Sequence, residues 1–288
     1  MPNWVRNIIT ITCSNPATLE AYFNVVGRPG EHFDFEKIIP MPKELNIESG
    51  SRTDNGITCA RWYAHPKCPA TNDIIPKMTM EEYELMIQAL GAGPYGRHQT
   101  GRIDLNQLAL AVHRLRENHC KCWDDKKEQS DWDEILKLGQ QACSNIIKYG
   151  APTWYEWCIA NWGTKWNLHA GDGNVIDENG NVTFDTAWSA PKPIIDEIVR
   201  HMTHTQGLHG TMCIEHKWAD EDIGNNCGEQ SFEIDFDDAD PVGSTQWSYI
   251  DADEMSADEA YALAESVWGC QDDEDNEDDN EQGSDNNN

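Results

Sequence analysis

Apolar residues follow two periods along this chain, and the change from one to the other marks its elements. From Trp4 to Cys13, the β-branched run with Val5, Ile8, Ile9 and Ile11 predicts a strand. Pro16 after Asn15 opens a helix whose stripe is Leu19, Tyr22, Phe23 and Val26, and Gly27 ends it. Residues 33–39 alternate and then run apolar, which predicts a second strand or extended segment closed by Pro40 and Pro42. Strand, helix, strand opens an α+β unit. A loop rich in Ser, Asn and Gly then leads to residues 59–63. Thr79 and Glu82 form a capping box ahead of the stripe Tyr83, Met86, Ile87 and Leu90. Further helices are predicted over 104–118 and 131–149.

The stretch from Thr153 to Pro193 holds five of the twelve tryptophans: Trp154, Trp157, Trp162, Trp166 and Trp188. Trp154, Trp157 and Cys158, with Trp162 a turn later, share one helical face that Gly163 stops. Asn179 followed by Gly180 signals a tight hairpin turn, and Val182, Phe184 and Thr186 alternate as a strand. A helix follows over 194–202. Strands are expected at 212–218 and 231–236, separated by a polar turn, and a helix at 256–268 with a capping box from Ser256 to Glu259. The tryptophan stretch reads as core, because its period is helical and no Lys or Arg cluster accompanies it. A stacking platform for bases or sugars is the other reading.

Charge changes the picture most. The net charge is −30, and residues 218–288 hold 24 acids with no Lys or Arg, which leaves −6 for residues 1–217. Such asymmetry opposes direct nucleic-acid binding and steers the chain toward a basic protein. Residues 271–288 have no apolar side chain and are expected to be a disordered acidic tail. The N-terminus has no export signal, no stretch approaches a membrane span, and ten cysteines are too few for a disulfide scaffold. These features point to a cytoplasm, with reduced thiols.

Four segments carry a resemblance: MPNWVRN at the start, FDFEKIIPMPKEL at 33–45, YEWCIANWGTKWN at 155–167 and FDTAWSAPKPII at 184–195. Together they are similar to the YubB-type ferredoxin-like domain found in proteins of phages and conjugative plasmids. The resemblance implies a βαββαβ-like sheet with helices on one face, and no transferable catalytic residue. The expected architecture is therefore α+β. Residues 1–42 and 131–236 form the ferredoxin-like domain and 43–130 a mostly helical insertion. Residues 237–270 form an acidic segment with a C-terminal helix, ahead of the tail. Accessory proteins of phages and plasmids often counter host defence. The resemblance thus suggests a non-enzymatic anti-defence protein in the host cytoplasm that blocks a DNA-targeting nuclease complex, a Gabija-type complex being one candidate. Self-association is a further expectation.

Other chemistry is weaker. His119, Cys120 and Cys122, with His113 nearby, have zinc-type ligands, but one Cys-x-Cys lacks the second pair of a zinc ribbon. The histidines around 201–216 suggest a base, yet Glu215 and His216 must point to opposite faces of a strand. Neither a metal nor a cofactor is expected. Asp235, Asp237, Asp238 and Asp240, then Asp251, Asp253 and Glu254, resemble calcium-loop fragments without the required glycine and glutamate. As a protein-contact surface these acids can pair with arginines or imitate phosphates, with Trp247, Tyr249, Tyr261 and Trp268 as apolar anchors. A nucleic-acid-handling sheet is the alternative. It would need exposed aromatics with basic neighbours, and Trp4 with Arg6 and Arg61 with Trp62 are the adjacent pairs.

Overall fold

The computed structural model describes residues 3–92, 104–120, 125–168 and 174–269. The predicted disordered tail at 271–288 lies outside these residues. Strand β1 (Trp4–Cys13) leads to α1 (Pro16–Val26), whose Asn15 side chain accepts from the Ala17 amide at 2.9 Å. The expected extended segment at 33–39 is instead the one-turn helix α2 (Phe35–Ile38). Asp34 decides this by accepting from the Glu36 amide at 2.9 Å. Strand-like pairing near it amounts to an isolated bridge between His32 and Val175.

A helical lobe follows: α3 (Ser51–Tyr63), α4 (Met80–Ala92), α5 (Leu105–Cys120) and α6 (Asp125–Tyr149). The Thr79–Glu82 capping box forms, with reciprocal bonds of 3.2 and 2.8 Å. The expected Ser/Asn/Gly loop before residue 59 is helix α3. Its glycine is a contact point: a Cβ on Gly139 would lie 2.0 Å from the Gly56 carbonyl oxygen, so α3 and α6 meet backbone to backbone. Tertiary contact overrides the poor helix propensity there. Helix α6, assigned from sequence to the sheet domain, puts Trp132, Ile135, Leu136 and Ile146 into the lobe's own core with Ile57 and Met86. The Asn145 side chain donates to the carbonyls of Glu44 (2.9 Å) and Pro152 (3.0 Å), tying the entering and leaving chain together.

The chain then returns to the sheet through α7 (Trp154–Asn161), β2 (Val182–Ala187), α8 (Lys192–His204), β3 (Thr211–Asp220) and β4 (Gly228–Asp235). It ends with α9 (Pro241–Ser244), β5 (Gln246–Asp251) and α10 (Ala257–Trp268). The five strands are antiparallel in the order β2-β1-β3-β4-β5. Because β2 and β3 both run antiparallel to β1, β2-α8-β3 is a split βαβ unit with β1 between its strands. Helices α1, α7 and α8 cover one face. Tyr22, Trp157, Trp162, Ile194 and Ile198 pack there on Ile9, Phe184, Met212 and Ile234. Helix α10 covers part of the opposite face, where Ala260, Ala264 and Val267 meet Ala219 and Ile8. The Ser256–Glu259 capping box starts α10. Among the described residues no helix is long and apolar enough to cross a membrane.

Candidate functional site

The sheet has two edges, β2 and β5, and they differ. On β2, Phe184 is 3% exposed beneath the helices; on β5, Trp247 is 71% exposed. The register sets Trp247 opposite Phe232 and Tyr249 opposite Gln230, so the β5 aromatics share the helical face of the sheet. The helical layer stops short of them. A groove of about 400 Å³ remains between α8 and β5, lined by Lys192, Asp196, Gln230, Phe232, Trp247 and Tyr249.

A buried polar thread backs the groove. Asn7 donates to Thr186 Oγ1 at 2.9 Å and to the Val5 carbonyl at 2.8 Å, which leaves its Oδ1 as acceptor. The His216 Nε2–H donates to that oxygen (3.0 Å), and His216 Nδ1 accepts from Gln230 Nε2 (3.1 Å). This pattern fixes a neutral Nε2–H tautomer. Burial, aided by the Lys192 charge, lowers the His216 pKa to about 3. The thread runs from β2 across β1 and β3 and reaches the groove at Gln230.

At the groove's upper end, the Lys192 ammonium lies 4.7 Å from the Trp218 ring centroid and 4.4 Å from that of Tyr249. It donates to the Tyr249 hydroxyl, which donates to Asp251 Oδ2 at 2.7 Å. Burial lowers the Lys192 pKa against the pull of Asp251 and Asp196, while burial and the Asp251 bond raise the Tyr249 phenol to about 12. The Tyr249 hydrogen bond holds Asp251 low. Asp196 differs: burial raises its carboxyl, and its electrostatic partner is Lys192. Gly228 makes room for this arrangement, since a Cβ there would lie 2.3 Å from Trp218 Cζ2.

The acids expected to form one contact surface are split between the two ends of β5, a span of about 20 Å for its length. At one end Asp235, Asp238 and Asp240 accept from the amides of Asp237, Asp240 and Gly243, and Asp237 accepts from His209 Nδ1 and the Gly210 amide, each at 3.0 Å. At the other end Asp251 accepts from the Asp253 amide, with Glu254 following in the same turn. Of the expected anchors, Trp247 and Tyr249 line the groove, and Tyr261 is 53% exposed on α10. Trp268 is a packing residue instead: its Nε1 donates to the Ala219 and Asp220 carbonyls, and Arg6 stacks on its ring at 4.2 Å.

The sequence did not point to Lys192, Asp196, Gln230 or Phe232. They come from separate elements, and the only local signal was the alternation of Trp247, Tyr249 and Asp251, which marks β5 itself. Among the other candidates, His216 lies on the buried face and Glu215 on the exposed one. His119 lies in the last turn of α5 beside Trp132, while the Cys120 side chain and Cys122 lie outside the described residues. Among the described residues no group of three metal-ligating side chains occurs. Arg6 is engaged by Asp185 at 3.0 Å and by Trp268, and Arg61 is buried in the helical lobe. Neither aromatic–basic pair therefore forms an open platform on the sheet. The tryptophan stretch is split between core and surface, with half-buried Trp166 and exposed Trp188 each 4.6 Å from the Lys165 ammonium. Trp157 and Trp162 are buried, while Trp188 is 46% exposed at a left-handed φ of 70°.

Residues 161–259, from the end of α7 into α10, match the family model described as the ferredoxin-like domain in Api92-like protein. A ferredoxin-like domain is present. The groove lies wholly inside the matched residues of this ferredoxin-like domain, and the helical lobe lies outside them. No curated protein and no solved structure matches the chain.

Proposed function

We propose that the protein is a non-enzymatic binding protein whose ferredoxin-like domain seats a basic protein partner on the β5 edge. Its finer role is to block a host DNA-targeting nuclease complex on behalf of a phage or mobile element, inside the host cytoplasm. The observation that carries the reading is Trp247, a large aromatic 71% exposed on an edge strand with acidic turns at both ends. Buried aromatic anchors dominate interface energies, and surrounding charge sets the on-rate and partner sign. A nuclease that grips DNA carries the complementary positive groove. The chain's −30 charge favours such a partner and disfavours nucleic acid itself.

The test is co-expression with DNA-targeting defence nucleases, reading DNA cleavage and co-purification. The expected result is inhibition of at least one complex by the wild type and loss of capture with Trp247→Ala. Failure to inhibit or retain any such complex overturns the proposal.

A further inference from the structure

Resting on the protein-binding reading above, we infer that the partner engages as an extended basic segment. It adds to β5 as a sixth strand and places an arginine or lysine in the α8–β5 groove, between Trp247 and Asp196. Three observations converge on this occupant. Among the described residues β5 pairs only with β4, so its outer main-chain groups have no strand partner. Strand addition is the usual way such an edge is used, with alternate side chains read by adjacent pockets. The groove supplies such a pocket on the face that alternate residues of an added strand would meet.

The pocket's chemistry selects a cation. Trp247 and Phe232 offer aromatic surface, which attracts a guanidinium or ammonium. Asp196 offers a carboxylate that burial makes costly to ionise; Lys192 attracts it, but among the described residues no cation forms a direct ion pair with it. Lys192 acts on it only through space, because its ammonium makes its close contacts with the Tyr249 hydroxyl and the rings of Trp218 and Tyr249. An incoming cation at Asp196 can make the direct ion pair that Lys192 does not. The acidic turns at either end of β5 favour further basic residues along the same segment.

A second copy of this chain fits badly. Two-fold antiparallel pairing of β5 on β5 would set the Asp251–Glu254 turn of each copy beside the Asp237–Asp240 turn of the other. Those like charges oppose the contact.

The experiment titrates the full chain into a labelled hexapeptide that alternates valine and arginine, at low ionic strength, followed by fluorescence polarisation. Two control peptides replace arginine by neutral citrulline or methylate alternate backbone nitrogens. The wild type is expected to bind the arginine peptide. Asp196→Asn and Trp247→Ala should each weaken binding about tenfold or more, as should either control peptide. Equal binding by the citrulline or methylated peptide, or no effect of Asp196→Asn, overturns the inference and leaves diffuse charge attraction. No binding by the wild type overturns it as well. A dimer by light scattering that Trp247→Ala dissolves overturns it in favour of the second copy. Nuclease inhibition read on the same variants separates the two ideas. Inhibition that survives Asp196→Asn but fails with Trp247→Ala retains the binding function without strand addition. Peptide binding without nuclease inhibition retains the groove and rejects the nuclease as partner.

Discussion

The sheet domain and the helical lobe each bury an apolar core, but they differ in a defining contact. In the sheet domain, large side chains interlock: Phe33 and Phe184 rings are 5.1 Å apart, Phe35 and Trp162 5.9 Å, and Trp157 and Trp162 5.6 Å. In the lobe, α3 and α6 meet at a point with no side chains, since Gly56 and Gly139 bring their backbones together. The difference teaches where each region is vulnerable. At these ring contacts the sheet suffers when a side chain is removed, and at the Gly56–Gly139 contact the lobe suffers when one is added.

Trimming the sheet core should have the largest effect. Phe184→Ala removes a ring that touches both Phe33 and Phe35, and it should cost about 4 kcal/mol in chemical denaturation. The complementary substitution, Gly139→Ala, adds one methyl and should cost about 3 kcal/mol even though alanine is the better helix former. Following unfolding by separate probes of sheet and lobe sharpens the contrast. A Gly139→Ala transition that stays single and merely shifts would mean the two cores unfold together; an early lobe transition would mean they do not.

Acid should act mainly on the sheet. The folded pKa of His216, about 3, lies below the ordinary histidine value, so protons bind the unfolded chain more readily. The stabilisation is complete above about pH 6.5 and is lost as pH falls toward 3, by about 1.4 kcal/mol per unit. Between pH 6.5 and 5 the loss should be about 2 kcal/mol. His65, lowered by burial in the lobe, adds in the same direction. His216→Gln offers a donor to Asn7 and an acceptor to Gln230 and should flatten the slope. A slope that survives this substitution would assign the acid sensitivity elsewhere. The smallest expected effect on stability is at the β5 edge. Trp247→Ala should change unfolding by less than about 0.5 kcal/mol while abolishing partner capture. A large loss of stability there would make Trp247 a packing residue.

Local signals were legible in the sequence; non-local ones were not. Both capping boxes, Thr79 with Glu82 and Ser256 with Glu259, are readable because donor and acceptor sit three residues apart. Strand β1 and helix α1 declare themselves by period and by Pro16. Helix α3 does not, because the reason for Gly56 lies in α6. Phe33 and Phe35 alternate like a strand, but Asp34 closes a helical turn instead. In the site, Trp247, Tyr249 and Asp251 stand in one strand and can be named from the chain. Gln230 joins them through the pairing of β4 with β5, and Lys192 and Asp196 only through the approach of α8.

Asn145 has a wider consequence. Its amide spans the point where the chain leaves the sheet domain, at Glu44, and the point where it comes back, at Pro152. Seen from the sheet, the whole lobe therefore occupies the footprint of a tight connection. That makes the position a modular socket: another unit with equally close ends, or a short turn, would fit the same place without disturbing strand register.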